Sequence, residues 1–239
     1  MNVLFATSAA LVLIARAAIA QGANDEPRRP PVVFLGGGFE VASSVGEFAD
    51  YVDAGYGLGF HLGFRPRRSP LGFRVGGMFS QYGSTTARYN LVGLVDVDVT
   101  TRNQIIGMML GPELHLDAGP LQLYGQGGIG FSYFYTRSSV EGTDQNNSPF
   151  ASTTNYDDFT FAAQGGGGVR IRLAGNPIFL DLGARYLNNG RVSYVTQNTI
   201  NVSASPPTIT AITSDANAVV VGIGVVIGLR GSPSQASRK

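Results

Sequence analysis

The sequence contains no cysteine, so disulfide bonds and cysteine metal sites are excluded. Only one of its 17 basic residues is a lysine, at the last position, and the formal net charge is +1. A charge this close to neutral argues against nucleic-acid binding, which depends on basic residues clustered on one face. Glycine, in contrast, is abundant: 33 residues are about twice the usual share.

The first twenty residues, MNVLFATSAALVLIARAAIA, have the features of an export signal. An apolar core covers 3–14, and Ala18-Ile19-Ala20 supplies the small-x-small pattern that precedes a cleavage site. The sequence therefore predicts a signal peptide at 1–20, and the alternative is a membrane anchor that stays on the chain. Residues 21–31 are rich in proline and charge and are predicted to form a flexible leader.

Beyond residue 31, apolar residues recur at every second position, which is typical of β-strands with two different faces. Each of eight such segments is long enough for a tilted membrane-spanning strand of about 9–11 residues. They are 32–43, 54–65, 71–82, 103–117, 121–137, 157–173, 178–188 and 217–230. Short turns at 66–69, 117–120 and 174–177 alternate with long polar connections at 44–53, 83–102, 138–156 and 189–216. The pattern predicts an all-β, eight-stranded antiparallel up-and-down transmembrane β-barrel over 32–230.

The two faces of these strands indicate the surrounding solvent. The apolar face carries no charge across the predicted spans, whereas the opposite face carries charged residues and many glycines. A water-soluble barrel would turn the apolar face inward, but glycine-rich strands make a poor water-facing surface. Small residues suit the narrow interior of an eight-stranded barrel, so we expect lipid outside. Six aromatic residues are predicted at the membrane interfaces: Tyr56, Phe64, Phe73, Tyr133, Tyr135 and Tyr186.

With these strands, turns and aromatic girdles, residues 32–230 resemble the small eight-stranded outer-membrane barrels of the OmpA, OmpX and opacity-protein type. The resemblance implies a bacterial outer-membrane location, periplasmic chain ends and long connections outside the cell. It also implies a monomer that contacts outer-membrane lipid and lipopolysaccharide and is inserted by the barrel-assembly machinery. Residues 231–239 are then a disordered periplasmic tail. The sequence names no ligand for the long connections.

The polar face predicts a layer of charged side chains inside the barrel. Its members are Glu40, His61, Arg74, Glu113, His115, Arg170, Asp181 and Arg185. A four-residue turn at 174–177 would place Arg170 opposite Asp181, and pairing of Phe64 with Leu71 would place His61 opposite Arg74. We expect these groups to form ion pairs that plug the lumen near its periplasmic end.

The sequence offers little for catalysis. His115 shares its face with Glu113 and Asp117, which would suit a histidine–carboxylate pair or part of a metal site. Neither a nucleophilic serine nor a second ligand cluster accompanies them, so we expect no catalytic, cofactor-binding or metal-binding residues. The sequence favours a non-enzymatic outer-membrane barrel that contributes to envelope integrity or presents its loops to partners. The alternative is a narrow porin-like channel for ions or small solutes.

Cleavage of the export signal is predicted after Ala20, because the small-x-small pattern ends there. Mass spectrometry of the protein purified from the cell envelope should show a chain that begins at Gln21. An envelope protein that still carries Met1 would contradict this prediction and favour the retained anchor.

Overall fold

A computed structural model describes residues 33–66, 69–91, 95–142, 149–173, 177–196, 200–201 and 208–229. The predicted signal peptide, flexible leader and C-terminal tail lie outside the described residues. Within these described ranges, no helix combines the length and the hydrophobicity needed to span a membrane.

Eight long antiparallel strands close into a barrel in the described part of the chain. They are β1 (Val33–Val45), β2 (Ala54–Phe64), β3 (Leu71–Leu91), β4 (Val95–Ala118), β5 (Leu121–Gly142), β6 (Pro149–Arg172), β7 (Ile178–Asn189) and, after four short strands, β12 (Asn217–Leu229). β1 pairs with β2 on one side and with β12 on the other. This pairing closes the barrel wall and confirms the predicted eight-stranded up-and-down barrel.

Burial follows the predicted alternation along the barrel strands. On β12, Val220 and Val226 are fully buried, whereas Val221 and Ile223 are more than half exposed. The exposed apolar set continues around the barrel with Phe39, Leu58, Phe60, Val75, Leu110, Ile129, Phe161 and Leu182. An apolar surface this extensive marks contact with lipid rather than water.

Glycine is required where the barrel is tightest. A Cβ atom at Gly168 would collide with the Leu182 carbonyl and the Tyr124 hydroxyl. Gly119 has a φ of +63°, which favours glycine. It forms the tight Gly119-Pro120 turn between Ala118 and Leu121, within the turn predicted at 117–120.

Two of the predicted long connections consist mostly of strand, so this prediction was wrong for 83–102 and 138–156. β3 pairs with β4 as far as Leu91–Val95, and β5 pairs with β6 as far as Glu141–Pro149. The predicted bounds followed the apolar outward face of the strands, which ends where lipid contact ends. Threonine and valine keep a high strand propensity beyond that point, so the hairpins continue as regular sheet.

The other two long connections also contain regular structure. A short 3₁₀ helix (Gly46–Asp50) lies within 44–53. The connection at 189–216 contains β8 (Arg191–Tyr194), β9 (Ile200–Asn201), β10 (Thr208–Ile209) and β11 (Ile212–Asp215). β8 pairs with β11 and β9 pairs with β10, so this segment forms two small two-stranded sheets.

Of the two cross-strand pairings predicted for interior residues, one was correct and the other was wrong. Arg170 lies opposite Asp181, as the turn at 174–177 predicted. His61, however, lies opposite Gly76 rather than Arg74, because Phe64 pairs with Phe73. The physical reason lies before β3, where the Ser69 side chain bonds the backbone of Leu71 and the Pro70 carbonyl accepts from the His115 amide of β4. These bonds hold the start of β3 against β4. The pairing of β3 with β2 begins two residues later.

The outward face predicts an asymmetric response to charge. Ile223 is the central outward residue of β12 and is 54% exposed. Ile223→Arg should oppose insertion by about 2–4 kcal/mol, because arginine faces hydrocarbon there. The measurement is the free energy of unfolding of the protein refolded in lipid vesicles.

Ala211→Arg is the matched control, because Ala211 is exposed outside the apolar band. This variant should keep the parent stability. Equal stability of Ile223→Arg and Ala211→Arg would mean that the apolar face does not contact lipid.

Candidate functional site in the barrel interior

Several interior ion pairs join strands that are not neighbours in the barrel. Glu113 on β4 and Arg170 on β6 are separated by β5, yet Arg170 Nη2 donates to Glu113 Oε1 at 2.6 Å. Arg170 is 0% exposed and Glu113 is 2% exposed. Charges buried this deeply depend on each other, because an unpaired ion in a low-dielectric interior is strongly destabilising.

Glu113 also contacts two other predicted members of the charged layer. Arg74 on β3 donates from Nη1 to Glu113 Oε2 at 3.3 Å, and His115 Nε2 lies 3.4 Å from Glu113 Oε1. The His115 ring in turn stacks on Phe34 of β1, with ring centroids 5.5 Å apart. One carboxylate thus connects side chains from β3, β4 and β6.

Arg170 makes further contacts on the short-turn side of the interior. Its Nη1 donates to Gln122 Oε1 at 3.2 Å, and its guanidinium carbon lies 4.4 Å from the Tyr124 ring centroid. Asp181 is farther away, with 3.8 Å between Arg170 Nε and Asp181 Oδ2. Glu113, rather than Asp181, is therefore the closer anionic partner of Arg170.

A second ion pair joins Glu40 on β1 to Arg185 on β7, with β12 between them. Both Arg185 Nη atoms donate to the Glu40 carboxylate at 2.7 Å, one to each oxygen. Arg185 Nη2 also donates to Met78 Sδ at 3.8 Å. This two-point geometry makes the pair both strong and specific in orientation.

A third ion pair was not predicted. Arg65, just beyond β2, donates to Asp117 Oδ2 of β4 at 2.9 Å across the intervening β3. Gln122 Nε2 donates to Asp117 Oδ1 at 2.6 Å and so links this pair to Arg170. Arg65 and Asp117 both lie on the polar face in the sequence, and that periodicity was the available signal. Which side chains meet across an intervening strand depends on the stagger of the strands around the barrel. The alternation of polar and apolar residues does not reveal that stagger.

His61 lies apart from these hydrogen-bonded groups. It is buried and faces a cavity of about 40 Å³ that is also lined by Glu40, Arg74, Asp181 and Arg185. A smaller cavity of about 20 Å³ shares Glu40, Arg74 and Arg185 with the first. The predicted interior residues thus form one group around Glu113, another made by Glu40 and Arg185, and a small polar cavity that His61 faces.

The six predicted interface aromatics lie on the outward-facing positions of their strands. Tyr56, Phe64, Phe73 and Tyr186 are exposed, whereas Tyr133 and Tyr135 are partly exposed and stack with ring centroids 5.5 Å apart. Apolar side chains occupy interior positions on both sides of the charges. Phe34, Phe179 and Val226 form one cluster, and the other contains Met78, Met109, Ala162, Leu187, Ala218 and Val220.

An aromatic cluster at the long-hairpin end was also missed by the sequence analysis. The 3₁₀ helix brings Phe48 onto Phe134 of β5 and Tyr194 of β8, in edge-on contacts with centroids 6.4 and 5.1 Å apart. Phe48 is 3% exposed, although it lies in a segment predicted to be a polar connection. Burial raises the pKa of Tyr194, so its hydroxyl stays protonated and shares a hydrogen bond of 2.8 Å with Ser214.

The chemistry available in this interior is charge pairing and space filling. In the described ranges, no group of three or more histidine, aspartate and glutamate side chains has the arrangement of a metal site. His115 and Glu113 do lie together, but Glu113 is already bonded to Arg170 and Arg74. Buried residues with this pattern hold strands together through their side chains.

Comparisons with known proteins agree with this architecture. The sequence matches the family described as "Outer membrane protein beta-barrel domain" over residues 7–206. No curated protein matches the sequence. The outer membrane protein OprG from Pseudomonas aeruginosa is 15% identical in sequence, with a TM-score of 0.50 over 85% of this chain and 98% of that chain.

Two other solved structures show lower similarity. Neisserial surface protein A (NspA) is 15% identical, with a TM-score of 0.43 over 82% of this chain and 97% of that one. The attachment invasion locus protein Ail of Yersinia pestis is 13% identical, with a TM-score of 0.44 and the same coverages of 82% and 97%. On the strength of the family match and the closed eight-stranded barrel, this chain belongs to the outer membrane protein beta-barrel domain family, whose location is the bacterial outer membrane.

Proposed function

We propose that this protein is a non-enzymatic, non-conducting outer-membrane barrel whose lumen is plugged by its own side chains and whose long hairpins present a sheet to partners outside the cell. The observation that carries the proposal is the geometry of three interior ion pairs that skip a strand. Glu113–Arg170, Glu40–Arg185 and Arg65–Asp117 each join strands that have another strand between them. Such pairs cut across a narrow lumen, and they oppose the passage of solutes.

The sizes of the interior cavities support the plug over the channel alternative. The two cavities among the charged residues measure about 40 and 20 Å³. About 10–15 Å³ of such space accommodates one water molecule, so these cavities suit a few waters rather than a hydrated ion. The Phe48 cluster adds an apolar barrier at the long-hairpin end.

The long hairpins support a role in presenting surface to partners. β2 pairs with β3 only as far as Tyr56–Gln81, whereas β3 continues to Leu91. The upper part of β3 therefore forms the border of a sheet that rises above the barrel wall, and a bidentate Arg88–Asp98 pair braces it. An ordered sheet offers partners a preformed surface, which lowers the entropic cost of binding.

The oligomeric state and the partners expected from the sequence belong to this proposed function. The barrel acts as a monomer, contacts outer-membrane lipid and lipopolysaccharide, is inserted by the barrel-assembly machinery and binds no nucleic acid. The extended hairpins contribute to envelope integrity or bind partners at the cell surface.

The plugged lumen predicts an absence of conductance. The protein refolded into a planar bilayer should give no steady current steps, because paired charges and apolar side chains fill the interior. Single-channel recording is the measurement, and a heat-dependent gel shift on the same sample verifies that the barrel has folded. Large, stable steps from folded parent protein would reject the plug and favour the porin-like channel.

The central role of Glu113 in the plug predicts a large stability loss when it is removed. Glu113→Ala leaves the fully buried Arg170 without its closest anion, and losing one partner of a buried pair costs about 3–5 kcal/mol. The free energy of unfolding in lipid vesicles should fall by that amount.

Asp53→Ala is the matched control, because Asp53 is an exposed carboxylate next to β2. Its stability should remain within about 0.5 kcal/mol of the parent, as for most surface substitutions. Similar small effects of both variants would show that the interior ion pairs do not hold the barrel together.

A further inference from the structure

Two arginines face each other directly on the outer wall of the barrel. Arg102 on β4 and Arg137 on β5 are cross-strand partners, and both are exposed. Like charges directly opposite each other destabilise a sheet. An anionic partner would offset this destabilisation.

The described part of the protein supplies no such partner. The ion pairs of the described residues include neither Arg102 nor Arg137. Arg137 Nη2 donates to the neutral Ser152 hydroxyl at 2.7 Å. Arg88, on the same sheet, is in contrast neutralised by two hydrogen bonds to Asp98. The Arg102–Arg137 pair is therefore an unneutralised positive patch.

The position of this patch along the membrane normal indicates which part of the bilayer it contacts. Tyr135 lies two residues before Arg137 on the outward face of β5, and its cross-strand partner is Gln104 of β4. The next outward pair in the direction of the bilayer is Tyr133 with Ile106. Two residues span about 7 Å along a strand, or about 5 Å along the membrane normal at the usual tilt. The arginines thus lie at headgroup level, directly above the aromatic belt.

We infer that Arg102 and Arg137 bind the phosphate of a lipid headgroup in the outer leaflet. Guanidinium groups hold phosphate oxygens through two parallel hydrogen bonds, and two adjacent guanidiniums match the charge of one phosphate monoester. Below the patch, the exposed side chains of Ile106 and Phe131 offer an apolar wall for the acyl chains of the same molecule. An amphipathic phospholipid or phosphorylated glycolipid fits this combination, whereas a soluble polyanion would use only the charges.

A carboxylate near the patch does not oppose this assignment. Asp157 of β6 lies opposite Tyr135, one step closer to the bilayer than the arginines. No ion pair among the described residues joins Asp157 to either arginine. The inference depends on the membrane location of the barrel and is independent of the plugged lumen, so conductance results do not affect it.

The test uses the full barrel in detergent micelles, with bis-phosphorylated lipid A as the probe and native mass spectrometry as the measurement. Arg102→Gln/Arg137→Gln should weaken lipid A binding by roughly tenfold or more, because hydrogen bonds between charged groups are lost. The matched control for the single variant Arg137→Gln is Arg191→Gln, which removes the same charge from an exposed position outside the patch. The control should bind lipid A as the parent does.

Two further results decide the inference even if the double variant folds poorly. The parent should bind dephosphorylated lipid A at least roughly tenfold more weakly than the phosphorylated form, because the guanidiniums then lack their anion. Equal binding of the two lipids, or equal weakening by Arg137→Gln and Arg191→Gln, would overturn the inference. A sulfated oligosaccharide that binds the patch in preference to lipid A would also overturn it and would indicate a polysaccharide partner instead.

Discussion

A bilayer offers the peptide backbone no water, so every amide and carbonyl in it has to find a partner within the protein. The pairing of β1 with β12 meets this constraint by joining the first long strand to the last. Closure with eight strands also fixes the width of the interior, which admits side chains but little else. The buried ion pairs, the glycines at close approaches and the apolar clusters on either side of the charges are consequences of that width.

In this narrow interior, the arginines are neutralised by nearby carboxyl groups rather than by solvent. The interior ion pairs of the described residues join four arginines to four carboxyl groups: Arg65, Arg74, Arg170 and Arg185 with Glu40, Glu113, Asp117 and Asp181. Arginine keeps its charge in proteins, so the carboxylates have to lie within reach. The packing of Arg170 against the Tyr124 ring shows how aromatic faces supply additional stabilisation where no further anion is available.

The sequence predicted those features that depend on a contrast between the two faces of a strand. Alternation identified the eight strands, their outward residues and the pairing of Arg170 with Asp181 across a short turn. It did not predict the upper hairpins, because their outward positions are polar and lack the apolar face that marks lipid contact. It also missed the β2–β3 register, which side-chain and backbone bonds around Ser69 and Pro70 determine. Phe48 and the Arg65–Asp117 pair depend on contacts between distant segments, which no local pattern encodes.

The ion pairs that skip a strand have a consequence for the order of assembly. Neighbouring strands can pair one hairpin at a time, but Glu40 and Arg185 lie on strands β1 and β7, which β12 brings together only when the barrel closes. Interactions that form after the folding transition state slow unfolding without accelerating folding. The Glu40–Arg185 pair therefore forms last, and it favours a barrel whose lifetime in the membrane exceeds what its equilibrium stability alone would give.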